Sequence, residues 1–104
     1  MKYLRTTMPD ESQWDVPAEL IAKSRASYYA KLDAERGEGS YDAIYARELE
    51  YTLADSGELE DWAANNMNWS DVSHEAVRVP SGASKATDYQ KGWVSGEQEV
   101  VEKP

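Results

Sequence analysis

The sequence predicts an α+β fold, with about three helices packed on a small antiparallel β-sheet. Three observations carry that expectation. Across residues 17–54 apolar side chains recur at three- and four-residue spacing, the period of helices with one buried stripe. KYLRTT at residues 2–7 holds β-formers, and AVRV at residues 76–79 alternates, the period of a half-buried strand. Helix stop and start signals fall between these segments and not inside them.

In chain order, residues 2–7 read as an edge strand, and Met8 to Val16 as a polar connector containing Pro9 and Asp10-Glu11. Pro17 suits the first turn of a helix, where its missing N–H costs nothing. That helix runs to about Arg36, with Leu20, Ile21, Tyr28 and Leu32 on one stripe, Ser24 between them and Arg25 at the border. Gly37-Glu38-Gly39 stops it. Ser40 then caps a second helix, and Asp42 complements its positive end. Its inward face carries Tyr41, Ile44, Tyr45, Leu49, Thr52 and Leu53, with Glu48 near the centre. A carboxylate placed there must be paired, be protonated or reach water, and Arg25 is the expected partner.

Asp55-Ser56-Gly57-Glu58 resembles a capping box and opens a third helix with Leu59, Trp62, Ala63 and Met67 inward. Trp69 to Val72 starts a further turn or short helical piece. Residues 76–79 are expected to pair antiparallel with residues 2–7, in a sheet that a C-terminal strand could join. Pro80 to Asp88 is a loop rich in Ser, Gly and Ala, and the remainder forms a hairpin around Ser95-Gly96 or a tail. Residues 1–80 are thus expected as one domain, with 81–104 a loop and C-terminal hairpin or tail docked on it.

The 104 residues suit one domain, and 40% hydrophobic with 30% charged residues suits a folded chain. No apolar run reaches the roughly 20 residues needed to span a bilayer. The N-terminus lacks the apolar core of a signal peptide, so a cytoplasmic protein is expected. With no Cys, thiolate chemistry is excluded. The aromatic residues are four Trp and seven Tyr, with no Phe, so every ring has a polar handle.

The net charge of −9 is uneven: +1 over residues 1–32, −8 over 33–61 and −2 over 62–104. Such a surface repels nucleic acid and membranes and steers association toward basic partners. Direct DNA or RNA binding needs a Lys/Arg face and is not expected. Catalytic signals are lacking. The single His74 has no Ser/Asp or metal-ligand spacing around it, and no phosphate loop or metal-protease motif occurs. A non-enzyme without cofactor or metal is therefore expected.

The stretch ELEDWAANNMNW, residues 58–69, packs three carboxylates, two Trp and three Asn together. Its acids suit a helix N-terminus, and they also suit a steering patch. The expected protein-binding set is Asp42, Glu50, Asp55, Glu58, Glu60 and Asp61 for charge, with Trp69 and Trp93 as anchors. Exposed charge sets encounter rate, while buried aromatics hold a complex together.

DWAANNMNWSDV, followed by AVRV and DYQKGWVSGEQEV, resembles small acidic bacteriophage-encoded proteins over residues 41–100. Acidic phage proteins of this size resemble inhibitors of host defence, of the anti-CRISPR or anti-restriction type. The resemblance implies a stoichiometric inhibitor in the cytoplasm of a host bacterial cell. Its partner would be a basic host protein or nucleoprotein complex, and a homodimer is open to it. The chain departs from DNA mimics in lacking their dense acid runs. A structural or accessory phage protein, acidic for solubility alone, is the alternative, and a small enzyme of unrecognised type a third.

Overall fold

The computed structural model describes residues 1–79 and 89–103. The elements are β1 (Lys2–Thr7), β2 (Gln13–Pro17), α1 (Ala18–Glu35), α2 (Tyr41–Ala54), α3 (Ser56–Asn66), α4 (Trp69–Val72), a 3-10 turn (Ser73–Glu75), β3 (Val77–Val79), α5 (Tyr89–Ser95) and β4 (Gln98–Glu102). The α+β expectation holds: helices pack on one antiparallel sheet of strand order β3-β2-β1-β4.

Alternation shapes the sheet. Leu4 and Thr6 of β1 are buried toward the helices, while Tyr3, Arg5 and Thr7 point to the opposite, outer face. The register pairs Leu4 with Val16 and with Val100, and Arg5 with Asp15 and with Glu99. Two strand assignments need correction. Residues 13–17, expected as connector, form β2, and residues 77–79 pair with β2 instead of with residues 2–7. The physical reason is proximity. A short turn, closed by Met8 N–H to the Ser12 carbonyl at 2.8 Å and by Asp10 accepting from Ser12 N–H at 3.0 Å, brings β2 alongside β1 at small entropic cost. Later strands then take the edges that remain.

Pro17 ends β2 and occupies the N-cap of α1 in extended conformation, so the helix begins one residue later than expected. Along α1 the buried positions are Ala18, Ile21, Ala22, Ala26 and Ala30. Ala18, Ile21 and Ala22 among them join the core cluster with Leu4, Val16 and Leu59. Tyr28 and Tyr41, both expected inward, are instead 54% and 43% exposed: Tyr28 packs against Trp62 and Tyr41 stacks on Tyr45, each leaving part of its ring and its hydroxyl to solvent. Gly37, at φ 75°, turns the chain out of α1. Ser40 then caps α2 by accepting from Ala43 N–H, and Asp55 caps α3 by accepting from Glu58 N–H.

The C-terminal segment is not a hairpin or a tail; the strand that could join the sheet is present. The segment supplies α5 and then β4, which lies against the central strand β1. The backbone passes so closely here that a Cβ on Gly96 would stand 2.3 Å from the Thr7 carbonyl oxygen. The glycine read as a hairpin tip is therefore a packing requirement. The core joins Leu4, Val16, Ile21, Leu59, Trp62, Met67, Val72 and Trp93. Among the described residues, no helix is long and apolar enough to cross a membrane.

Candidate interaction surface

Where the three long helices meet, Arg25 is the organising side chain. Its Nη1 donates to Glu48 at 2.9 Å and to Thr52 Oγ1 at 3.1 Å, and its Nε lies 3.4 Å from the Glu58 carboxylate. The expected Arg25–Glu48 pair is present. The side chains are 11% and 19% exposed, so the pair is mostly withdrawn from water without being sealed. The guanidinium also lies 4.6 Å from the Tyr29 ring centroid and 5.2 Å from that of Tyr51. Two carboxylates and two rings thus hold one cation.

Aromatic side chains continue this surface. Tyr28 packs 5.5 Å from Trp62, and Tyr29 5.8 Å from it, ring centroid to ring centroid. Trp62 is core as expected, with its indole N–H donating to Ser24 Oγ at 3.1 Å. Tyr28 and Tyr51 leave about half their surface in water, at 54% and 49%. Neither exposure follows from the helical period of the sequence, which places Tyr28 inward and gives Tyr51 no role. A signal existed, since every aromatic residue here carries a polar group able to face solvent.

The six expected acids divide into two kinds. Asp42 and Glu50 stand exposed on α2, eight residues apart, or about 12 Å along the helix axis. Neither forms an ion pair with a described residue. On α3, Asp55 is occupied as the helix cap, Glu58 is drawn to Arg25, and Asp61 accepts from Asn65 Nδ2 at 2.9 Å. Glu58 and Asp61 share a side of α3 by their three-residue spacing, the side on which Trp62 lies. Glu60 is rotated by about 100° from Asp61 and is half-buried. The acids therefore spread around the helices and do not make one continuous stripe.

The two proposed tryptophan anchors differ. Trp93 is completely buried, and its indole N–H donates to the carbonyls of Ala63 and Met67 at 3.0 and 3.1 Å. It is a core residue that closes the C-terminal end of α3, and it has no surface left for a partner. Trp69 is half-buried, its ring 5.8 Å from Trp14 and 6.0 Å from Trp93. It belongs mainly to the domain's own packing, with one edge toward solvent.

A second charged cluster lies on the outer face of the sheet. Asp15, with no exposed surface, accepts from Arg5 Nε and Nη2 at 2.8 and 3.1 Å, and Lys103 Nζ stands 2.7 Å away. Burial opposes ionisation of Asp15, but the hydrogen bonds from Arg5 and Lys103 outweigh it and hold the carboxyl below its ordinary value. Arg5 is pushed above its ordinary value by the same bond. Both cations are thus committed to structure. Among the described residues no cluster of three or more His, Cys, Asp or Glu has a metal-binding arrangement, and His74 is exposed beside Glu75. Comparison with protein-family models, with curated proteins and with solved structures returns no match.

Proposed function

We propose that this chain is a non-enzymatic acidic binding protein, a phage-type inhibitor that engages a basic nucleic-acid-binding surface of a host defence complex in the host cytoplasm. The observation that supports it best is the imbalance on α2 and α3. Asp42, Glu50 and Glu60 pair with no cation among the described residues, whereas Arg25 and Arg47 are both drawn to Glu48. Unneutralised charge steers a basic partner, and the half-exposed rings of Tyr28 and Tyr51 beside it supply amphipathic contact area. The tyrosines replace Trp93 in the anchoring role. The phage and host-defence part of the proposal rests on the sequence resemblance.

The test is affinity capture from bacterial lysate, followed by measuring whether the captured protein loses nucleic-acid binding at a one-to-one ratio. Reversing Asp42, Glu50 and Asp61 to Lys is expected to slow association about tenfold at low salt, with the difference fading toward 0.5 M salt. Tyr28→Ala is expected to speed dissociation. Capture indifferent to charge reversal and to salt would leave solubility as the reason for the acidity, and the proposal would fall.

A further inference from the structure

Strand β4 closes one side of the sheet, and its outer edge offers a row of backbone groups. Thr7 N–H bonds the Glu97 carbonyl at 2.9 Å, and Lys103 N–H bonds the Met1 carbonyl at 2.8 Å. In an antiparallel pair, bonded and non-bonded residue pairs alternate. Glu97, Glu99, Val101 and Lys103 therefore aim their N–H and C=O groups at β1. Gln98, Val100 and Glu102 aim theirs away from it, where no described strand follows. The edge is a template for one more strand.

Its side chains select what that strand is. Glu97 and Glu99 are exposed and lie on the outer face with Arg5 and Thr7, while Val100 is on the helix-facing side and packs at the margin of the core. The outer face beside them holds an open depression of about 350 Å³ lined by Arg5, Thr7, Gln13, Glu97, Gln98 and Glu99. An incoming strand meets Glu97 and Glu99, followed by Val101, on the outer face, and Val100 between Gln98 and Glu102 on the other. A second copy of this chain fits poorly. Pairing β4 with itself about Val100 sets the two Glu99 carboxylates on the same face as diagonal neighbours, between molecules that each carry −9.

We infer that the β4 edge binds an extended basic segment of a partner protein as a fifth strand, with alternate Lys or Arg side chains meeting Glu97 and Glu99. Main-chain hydrogen bonds supply affinity, and the alternation supplies specificity. This rests on the reading of the chain as an acidic binding protein and places one of its contacts on the sheet instead of the helices.

The probe is the synthetic peptide Lys-Val-Lys-Val-Lys-Val-Lys, titrated into isotopically labelled protein and followed by amide shifts and hydrogen exchange. The expected result is shifts centred on residues 97–102, with slowed exchange at Gln98, Val100 and Glu102. Two further peptides, N-methylated on one or the other alternate set of amides, keep the charge and remove donors. One of them is expected to lose binding and the other to retain it. Val100→Pro removes one outward donor and is expected to weaken binding about tenfold.

Equal binding of both methylated peptides, with shifts confined to α2 and α3, overturns the fifth-strand inference and leaves the acidic-binding reading standing. No binding of any of the peptides overturns both. Self-association of the unliganded protein that Val100→Pro abolishes overturns the inference in favour of a second copy on the edge.

Discussion

Two charged side chains show how differently a salt link behaves according to its surroundings. Arg25 holds Glu48 in a nearly dry seam, with part of each group still reaching water. Replacing Arg25 by Met removes the link, leaves Glu48 only the exposed Arg47 at 3.7 Å and vacates the bonds to Thr52 and Glu58. For a fully buried pair such a change costs about 3–5 kcal/mol, so the residual exposure here lowers the expectation to about 2–3 kcal/mol. Urea titration measures it, and adding Glu48→Leu is expected to recover much of the loss. Asp15 is fully buried with two cations. Its folded pKa lies below the unfolded one, so the stability it contributes is present above about pH 4 and lost as pH falls through the folded value. Denaturation between pH 2 and pH 7 is expected to show this loss in the wild type. Asp15→Asn is expected to be weaker at neutral pH and to lack that part of the acid dependence.

At the scale of elements, the helices were readable because their signals are local. Ser40 and Asp55 cap the helices they were expected to cap, and the Glu48 partner followed from two helical wheels. Strand partners were not readable, since β1 binds one strand close by in sequence and another near the C-terminus. Glycine positions separate the two kinds of information. Gly37 has positive φ and open space, so Gly37→Ala is expected to cost about 1 kcal/mol of backbone strain. Gly96 meets the Thr7 and Gly92 carbonyl oxygens at under 2.5 Å from a built Cβ. Gly96→Ala has to force α5 away from β1 and is expected to cost at least about 3 kcal/mol. Thermal melts of the two variants check the ranking, which fails if Gly37→Ala is the more damaging.

Across the whole molecule, charge opposes compactness. Twenty acids face eleven bases, and several of those bases are absorbed by the Arg25 and Asp15 clusters. The surplus on α2 and α3 repels itself through water, where about 0.15 M salt screens beyond roughly 8 Å. Raising salt from 10 to 300 mM is therefore expected to raise the melting temperature by a few degrees. Glu50→Lys is expected to give a similar gain at low salt and little at high salt. A melting temperature that falls with added salt would show that attractive surface pairs outweigh the repulsion.

The sequence by itself determined the class of fold, the three long helices, the N-caps of the second and third and the Arg25–Glu48 pair. Each depends on residues within one helix or on two neighbouring helices with a period of 3.6. It also determined the −8 charge of residues 33–61, which no folding alters. Only the tertiary structure decided that Trp93 is core, that Tyr28 and Tyr51 are at the surface, that Asp15 is buried between two partly exposed cations and that β4 lies at an edge. Those outcomes depend on which segments meet across the chain. A tryptophan, a tyrosine or an aspartate has the same identity in either setting, and burial is assigned by the neighbours that arrive.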